Sequence, residues 1–230
     1  MRYQNIHKAE FIARPNRFIA RVLLEGREET VHIKNTGRCA ELLLPGAAVY
    51  LEESENPARK TRFSLVTVEK GSRLVNIDSQ APNTLLAQWL EAGGVLPGLP
   101  CPVTGLRREA KLGASRIDFL LTAGGQPAFV EVKGATLEQG GAAYFPDAPT
   151  QRGVRHIEEL IRHRQQGLPA GIVFVVQLKG VDYLAPNDRT HPEFGQALRR
   201  ARQSGVEVLA YDCHVSPGEI TLVDRVEVRL

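Results

Sequence analysis

Cysteine is scarce, with only Cys39, Cys101 and Cys213 in 230 residues. Their odd number and wide spacing exclude a disulfide framework and a zinc knuckle. They point instead to free thiols in a cytoplasmic protein. The six histidines show no zinc-motif spacing. No apolar run approaches the length of a membrane span, and MRYQNIHKAEF at the N-terminus lacks the apolar core of a secretory signal. No membrane partner is expected. A large excess of one charge is missing too. The net charge of +3 falls entirely in residues 1–81, which carry 13 Lys/Arg against 10 Asp/Glu, while residues 82–230 carry 16 of each. So small a surplus says less about a partner than the clustering of the basic residues does.

What is present is an ordinary globular composition, 43% hydrophobic and 24% charged, long enough for one large or two small domains. Residues 17–25 and 28–34 read as a hairpin about Gly26-Arg27. Residues 47–53, 62–70 and 73–79 add three more strands. Five short strands without a long helix predict an OB-fold-like five-stranded β-barrel over residues 1–81. The basic residues gather in its connections: Arg14, Asn16 and Arg17; Asn35-Thr36-Gly37-Arg38; and Arg59 with Lys60. Arg and Lys beside Asn and Thr are donors suited to phosphate and sugar. Arg14, Asn16, Arg17, Asn35, Arg38, Arg59 and Lys60 are therefore candidate nucleic-acid contacts. Phe18 and Phe63 are assigned to the core.

Ala81-Pro82-Asn83-Thr84 marks a boundary, and residues 82–230 form the second expected domain. Asn83 or Thr84 caps a helix, LLAQWLEAG, with Leu85, Leu86, Trp89 and Leu90 on a core face. Residues 103–110 read as a strand. The stretch RIDFLLTAGGQPAFVEVK, residues 116–133, reads as two strands about a Gly124-Gly125-Gln126-Pro127 turn. Alternation puts Glu131 and Lys133 on one face, and the turn brings Asp118 across from Glu131. Charges on core-bound strands need pairing or a metal. Two carboxylates suit Mg²⁺ or Mn²⁺, and a neighbouring lysine suits a phosphate in transit. Asp118, Glu131 and Lys133 are the candidate catalytic residues, with Asp118, Glu131 and Glu109 as metal ligands. Arg116 could pair with Asp118 or hold a phosphate.

Thr150 caps a helix to about Gln166, with Val154, Ile157, Leu160 and Ile161 as its apolar stripe. Arg152, His156, Glu159 and His163 form the other side, either a solvated face or a polar surface beside the site. The spacing alone does not choose between these. Residues 171–177 form a strand buried on both faces. A helix over 190–204 and strands over 206–211 and 219–228 complete an α/β domain.

Asp118 with Glu131-Val132-Lys133 resembles the Asp…Glu-x-Lys signature of the PD-(D/E)XK nuclease superfamily. Over nearly its full length the chain resembles the sugar fermentation stimulation protein family, SfsA. The segments that carry this are RPNRFIARV, NTGR, NPARKT, RREAKLGASRIDFLL, VEVK, FPDAPTQRGVRH and GVEVLAYDC. The resemblance implies an OB-type barrel followed by a PD-(D/E)XK nuclease-like α/β domain, DNA binding, and a regulatory link to maltose metabolism. It also makes Arg152 and His156 candidate nucleic-acid contacts. It leaves open whether the nuclease-like domain cuts DNA. Metal-dependent phosphodiester hydrolysis and non-enzymatic DNA binding on an inherited fold both stand. One departure is Gln88, which aligns with a middle-helix position that is often glutamate in the family.

Overall fold

The computed structural model describes residues 1–230 except Thr36 and Gly124. The parts of the sequence readings that fall on those two residues lie outside the described residues. The first sheet comprises β1 (Ile6–Asn16), β2 (Ile19–Leu24), β3 (Arg27–Ile33), β4 (Ala48–Glu53), β5 (Phe63–Lys70) and β6 (Arg73–Asn76). Its order is β3-β2-β1-β4-β5-β6, and a parallel pairing of His32 with Ser64 and Ile33 with Leu65 closes β3 onto β5. The closed ring is therefore β1 to β5, with β6 appended to β5. A five-stranded barrel is present, but its strands differ from the expected set. β1, absent from the sequence reading, pairs with both β2 and β4, and the 73–76 strand lies outside the ring. Alternation drives closure: Ala20 and Val22 of β2 are buried while Arg21 and Leu23 face out. Phe63 is buried in the barrel core. Phe18, expected there, is 46% exposed at the turn between β1 and β2.

The second sheet begins after α1 (Ala81–Glu91). It contains β7 (Val103–Leu112), β8 (Ser115–Ala123), β9 (Gln126–Ala135), β10 (Leu137–Gln139) and β11 (Ala142–Phe145). After α2 (Gln151–Gln165) come β12 (Ala170–Val176) and β13 (Tyr183–Pro186). After α3 (Pro192–Gln203) come β14 (Glu207–Ser216) and β15 (Glu219–Val228). The strand order is β10-β11-β13-β15-β14-β12-β9-β8-β7, with β9, β12 and β14 parallel at the centre. Every residue of β12 is buried, as a strand covered on both faces requires. Leu85, Leu86 and Leu90 of α1 share one core with Val130, Val132, Val173 and Val175. Ile157, Leu160, Phe194 and Leu198 of α2 and α3 share the other with Ile172 and Phe174. Because β9 alternates, Val130 and Val132 face α1, and Glu131 is turned toward α2. The short strands β10, β11 and β13 were not legible as strands in the sequence.

A polar network joins the two sheets. The Gln177 amide donates to Asn76 Oδ1 at 2.8 Å and to the Asp78 carbonyl at 3.0 Å. Asn76 donates to the Tyr3 hydroxyl at 3.0 Å, and that hydroxyl donates to Asp78 at 3.3 Å. Each buried polar group here is satisfied by another, which makes the junction a defined contact.

Candidate functional site

The ladder from β8 to β9 pairs Phe119 with Val130. The same register sets Asp118 beside Glu131. Beyond that pair the strands part, and the Val132 N–H, freed from the ladder, donates to Asp118 Oδ2 at 2.8 Å. The Asn83 amide on α1 donates to Asp118 Oδ1 at 2.9 Å. Asn83 is thus a helix residue reaching the site, not a cap. α1 begins at Ala81, earlier than the cap reading has it, with a proline in its first turn and no side-chain cap. Pro82 was the available signal, since proline favours the first helical turn. Gln88, the other α1 position singled out, is exposed.

Glu131 is 2% exposed. Its Oε1 is shared by the Lys133 ammonium and by His156 Nδ1 at 2.7 Å. Its Oε2 is buried without a partner among the described residues. Burial pushes the Glu131 carboxyl up, but His156 and Lys133 together outweigh it and hold it below the usual glutamate range. Asp118 moves the other way. Burial and then the Glu131 charge raise it, against the pull of Lys133, the Val132 N–H and Asn83. The pair thus holds one carboxylate firmly ionised beside a second that takes up a proton more readily.

His156 is set by α2. Thr150 caps that helix, accepting from the Gly153 N–H at 3.1 Å. One turn on, Arg152 Nε donates to His156 Nε2 at 3.3 Å. An arginine N–H can only donate, so Nε2 is the acceptor and the ring proton sits on Nδ1, aimed at Glu131. His156 is buried and is no direct contact for nucleic acid, which corrects that expectation. His163, also buried, stacks edge-on against Phe129 at 4.9 Å. The polar side of α2 is therefore not a solvated face at either histidine. Arg152 itself is exposed, and its terminal amines have no partner among the described residues.

Glu109 does not join the acids. The flanking pairs Arg108–Phe119 and Ala110–Ile117 place it alongside Asp118 in register. Yet its backbone is left-handed, at φ +52°, and its side chain is exposed. Among the described residues no group of three His, Cys, Asp or Glu is placed to hold a metal. Any cation here has two protein carboxylates, Asp118 and Glu131. That number suffices for Mg²⁺, which keeps several waters and takes further oxygens from substrate phosphate. The buried, unpartnered Glu131 Oε2 fits such an ion, because an ionised oxygen left unsatisfied away from water is costly.

The basic residues of the barrel divide into two groups. Arg14 is spent internally. Its Nη1 donates to the carbonyls of Gly37 at 2.8 Å and Arg38 at 2.6 Å, and its Nη2 to those of Arg17 at 2.9 Å and Asn35 at 2.8 Å. Asn35 donates to the Ile77 carbonyl at 3.0 Å and accepts from the Gly37 N–H at 2.7 Å. Both are loop clamps, which corrects their assignment as nucleic-acid contacts. Asn16 Oδ1 accepts from the Phe18 N–H at 2.9 Å, and Arg59 donates to Ser64 at 3.0 Å. Arg17, Arg38 and Lys60 are exposed on the barrel, and Arg116 is exposed on β8 of the second sheet. The Arg17 guanidinium lies over the Phe18 ring, 4.9 Å from its centre.

The loop that Arg14 clamps also touches the second domain. Asp147 Oδ2 accepts from the Cys39 N–H at 3.4 Å. A crevice of about 40 Å³ separates Asn35 from Gly134, Thr136 and Asp147. Gly134, the residue after Lys133, thus lines the crevice that the loop closes. A larger surface hollow, about 260 Å³ between Gln139, Tyr144, Asn187 and Arg189, does not include the acids.

Residues 12–77 match the family described as SfsA N-terminal OB domain, and residues 80–219 match the sugar fermentation stimulation protein RE domain. The chain belongs to the SfsA family. A sugar fermentation stimulation protein homolog of Ruminiclostridium cellulolyticum is 50% identical over 230 residues, covering 100% of both chains. One from Desulfitobacterium hafniense is 47% identical, covering 100% of this chain and 99% of its own. Among solved structures, Pyrococcus furiosus SfsA in complex with Ca²⁺ superimposes with a TM-score of 0.90. That protein is 33% identical, and the match covers 100% of this chain and 98% of that one. The OB barrel followed by an α/β domain is thus the family's architecture. Among the described residues no helix is long and apolar enough to cross a membrane.

Proposed function

We propose that this protein binds DNA with little sequence preference and hydrolyses phosphodiesters at the Asp118–Glu131–Lys133 site with Mg²⁺ or Mn²⁺. The observation that carries the reading is the buried, unpartnered Oε2 of Glu131, beside Asp118 and the Lys133 ammonium. The Ca²⁺ complex of the Pyrococcus furiosus relative supports a divalent cation in this family. Asp118 and Glu131 would hold the ion, which supplies charge neutralisation at the phosphate and lowers the pKa of a bound water. Lys133, 16% exposed, sets a fixed positive charge against the phosphoryl oxygens. The outer amines of Arg152 and the guanidiniums of Arg116 and Arg38 hold the flanking backbone, and Arg17 and Lys60 extend the track along the barrel. A link to sugar metabolism belongs to this proposal as an effect exerted through DNA.

The test is cleavage of single- and double-stranded DNA with Mg²⁺ or Mn²⁺, beside an Asp118→Ala variant and a chelator control. Metal-dependent product that is lost in the variant is expected. Equal product from both proteins sinks the enzymatic reading. The gathering of only two carboxylates favours one rival, a DNA-binding regulator without turnover. That rival gives salt-sensitive binding unchanged by chelation.

A further inference from the structure

The hydrogen bonds around Glu131 form a directed chain. Arg152 Nε donates to His156 Nε2, and His156 Nδ1 donates to Glu131 Oε1, the oxygen that the Lys133 ammonium also holds from the strand's own side. The imidazole is 5% exposed and the carboxylate 2%, so neither has water as a ready alternative partner. A buried carboxylate with one oxygen tied loses the rotation that would exchange its two oxygens. The oxygen left over, Oε2, is the unpartnered one. Metal-ligating carboxylates are commonly held in this way by a hydrogen-bonding partner that orients them without touching the ion.

We propose that His156 is a positioning residue, held by Arg152, that fixes Glu131 through Oε1 and so reserves Oε2 for the cation. The inference rests on the proposed cation site and adds a residue to it. Because Arg152 is exposed and spends only Nε inward, its terminal amines remain for a phosphate. One side chain then touches both the substrate backbone and the group that orients the metal ligand.

The experiment is a calorimetric titration of Mn²⁺ alone into the full-length protein and four variants. They are His156→Leu, His156→Asn, Arg152→Ala and the double variant Arg152→Ala/His156→Leu. His156→Leu is expected to weaken Mn²⁺ binding by about 10- to 100-fold, the range for removing such an orienting partner. His156→Asn keeps a donor near Nδ1 and is expected to recover most of that loss. Arg152→Ala is expected to weaken binding less, and the double variant to match His156→Leu, because the two residues act in series. A merely structural role for His156 would give no recovery by asparagine and no such non-additivity. If His156→Leu does not fold, Arg152→Ala at its exposed position carries the test. Wild-type affinity in the folded variants, alongside a wild-type protein that binds Mn²⁺, overturns the positioning role and leaves the site standing. A wild-type protein that takes up no Mn²⁺ overturns the site and the positioning role with it.

Discussion

Asp147 reaches from the second domain beneath Gly37 of the barrel, where a β-carbon on Gly37 would lie 2.4 Å from Asp147 Oδ2. Glycine is what lets this loop close over the carboxylate. Gly37→Ala is expected to force the loop and Asp147 apart, destabilising the protein by about 1–3 kcal/mol as overpacking does. Urea denaturation measures it. Unchanged stability would mean that the loop does not rest on Asp147.

Arg14 holds four carbonyls with one guanidinium. Arg14→Ala is expected to cost about 2–4 kcal/mol, since hydrogen bonds to a charged group exceed neutral ones. Lysine cannot reproduce the fork and should rescue little. A variant that keeps wild-type stability but binds DNA weakly would restore Arg14 to the nucleic-acid surface.

Arg17, Arg38 and Lys60 are exposed on the barrel, and the proposed DNA track runs over them. Replacing all three by alanine is expected to lower the slope of log K against log salt by roughly 2–3 on duplex DNA, about 0.9 for each phosphate no longer neutralised. Binding measured from low to moderate salt reads this. An unaltered slope would place the DNA elsewhere.

Glu109 carries left-handed backbone without glycine's freedom, at φ +52°. Glu109→Gly is expected to stabilise the protein by about 0.5–1 kcal/mol. It should leave Mn²⁺ affinity unchanged, because the exposed side chain does not join the acids. Weakened Mn²⁺ binding would return Glu109 to the ligand set.

The two acids titrate in opposite senses. Asp118 has a raised pKa in the folded protein, so folding favours its protonated form. Its contribution to stability is full below the ordinary aspartate value, about 3.9, and is lost as pH rises through the raised value. Asp118→Asn is therefore expected to melt higher than wild type at pH 7, with the gap shrinking in acid. Glu131 is lowered. Its contribution is present above the ordinary glutamate value and is lost as pH falls through the folded value. Glu131→Gln should therefore melt lower than wild type at pH 7. Thermal melts from pH 3 to 8 separate the two signs.

The central ribbon was legible because period-2 alternation and a glycine-rich turn place Asp118, Glu131 and Lys133 without any tertiary information. Thr150 and the all-apolar β12 were legible for similar local reasons. The first barrel strand was not, because IHKAEFIARPN mixes polar and apolar residues and is buried only in part. Alternation extended back from β2 puts Phe18 in the core, but the strand starts at Ile19 and Phe18 sits in the turn, where a period of two no longer holds. The roles of Arg14 and His156 depend on partners distant in sequence, at Gly37 and Glu131. An arginine bound for carbonyls looks the same in a sequence as one bound for phosphate.

Crystals soaked in Mn²⁺ and measured at the manganese absorption edge test the cation site most directly. The account predicts an anomalous peak within about 2.5 Å of Glu131 Oε2 and of an Asp118 oxygen. A peak elsewhere in the molecule with none between these two carboxylates would contradict it.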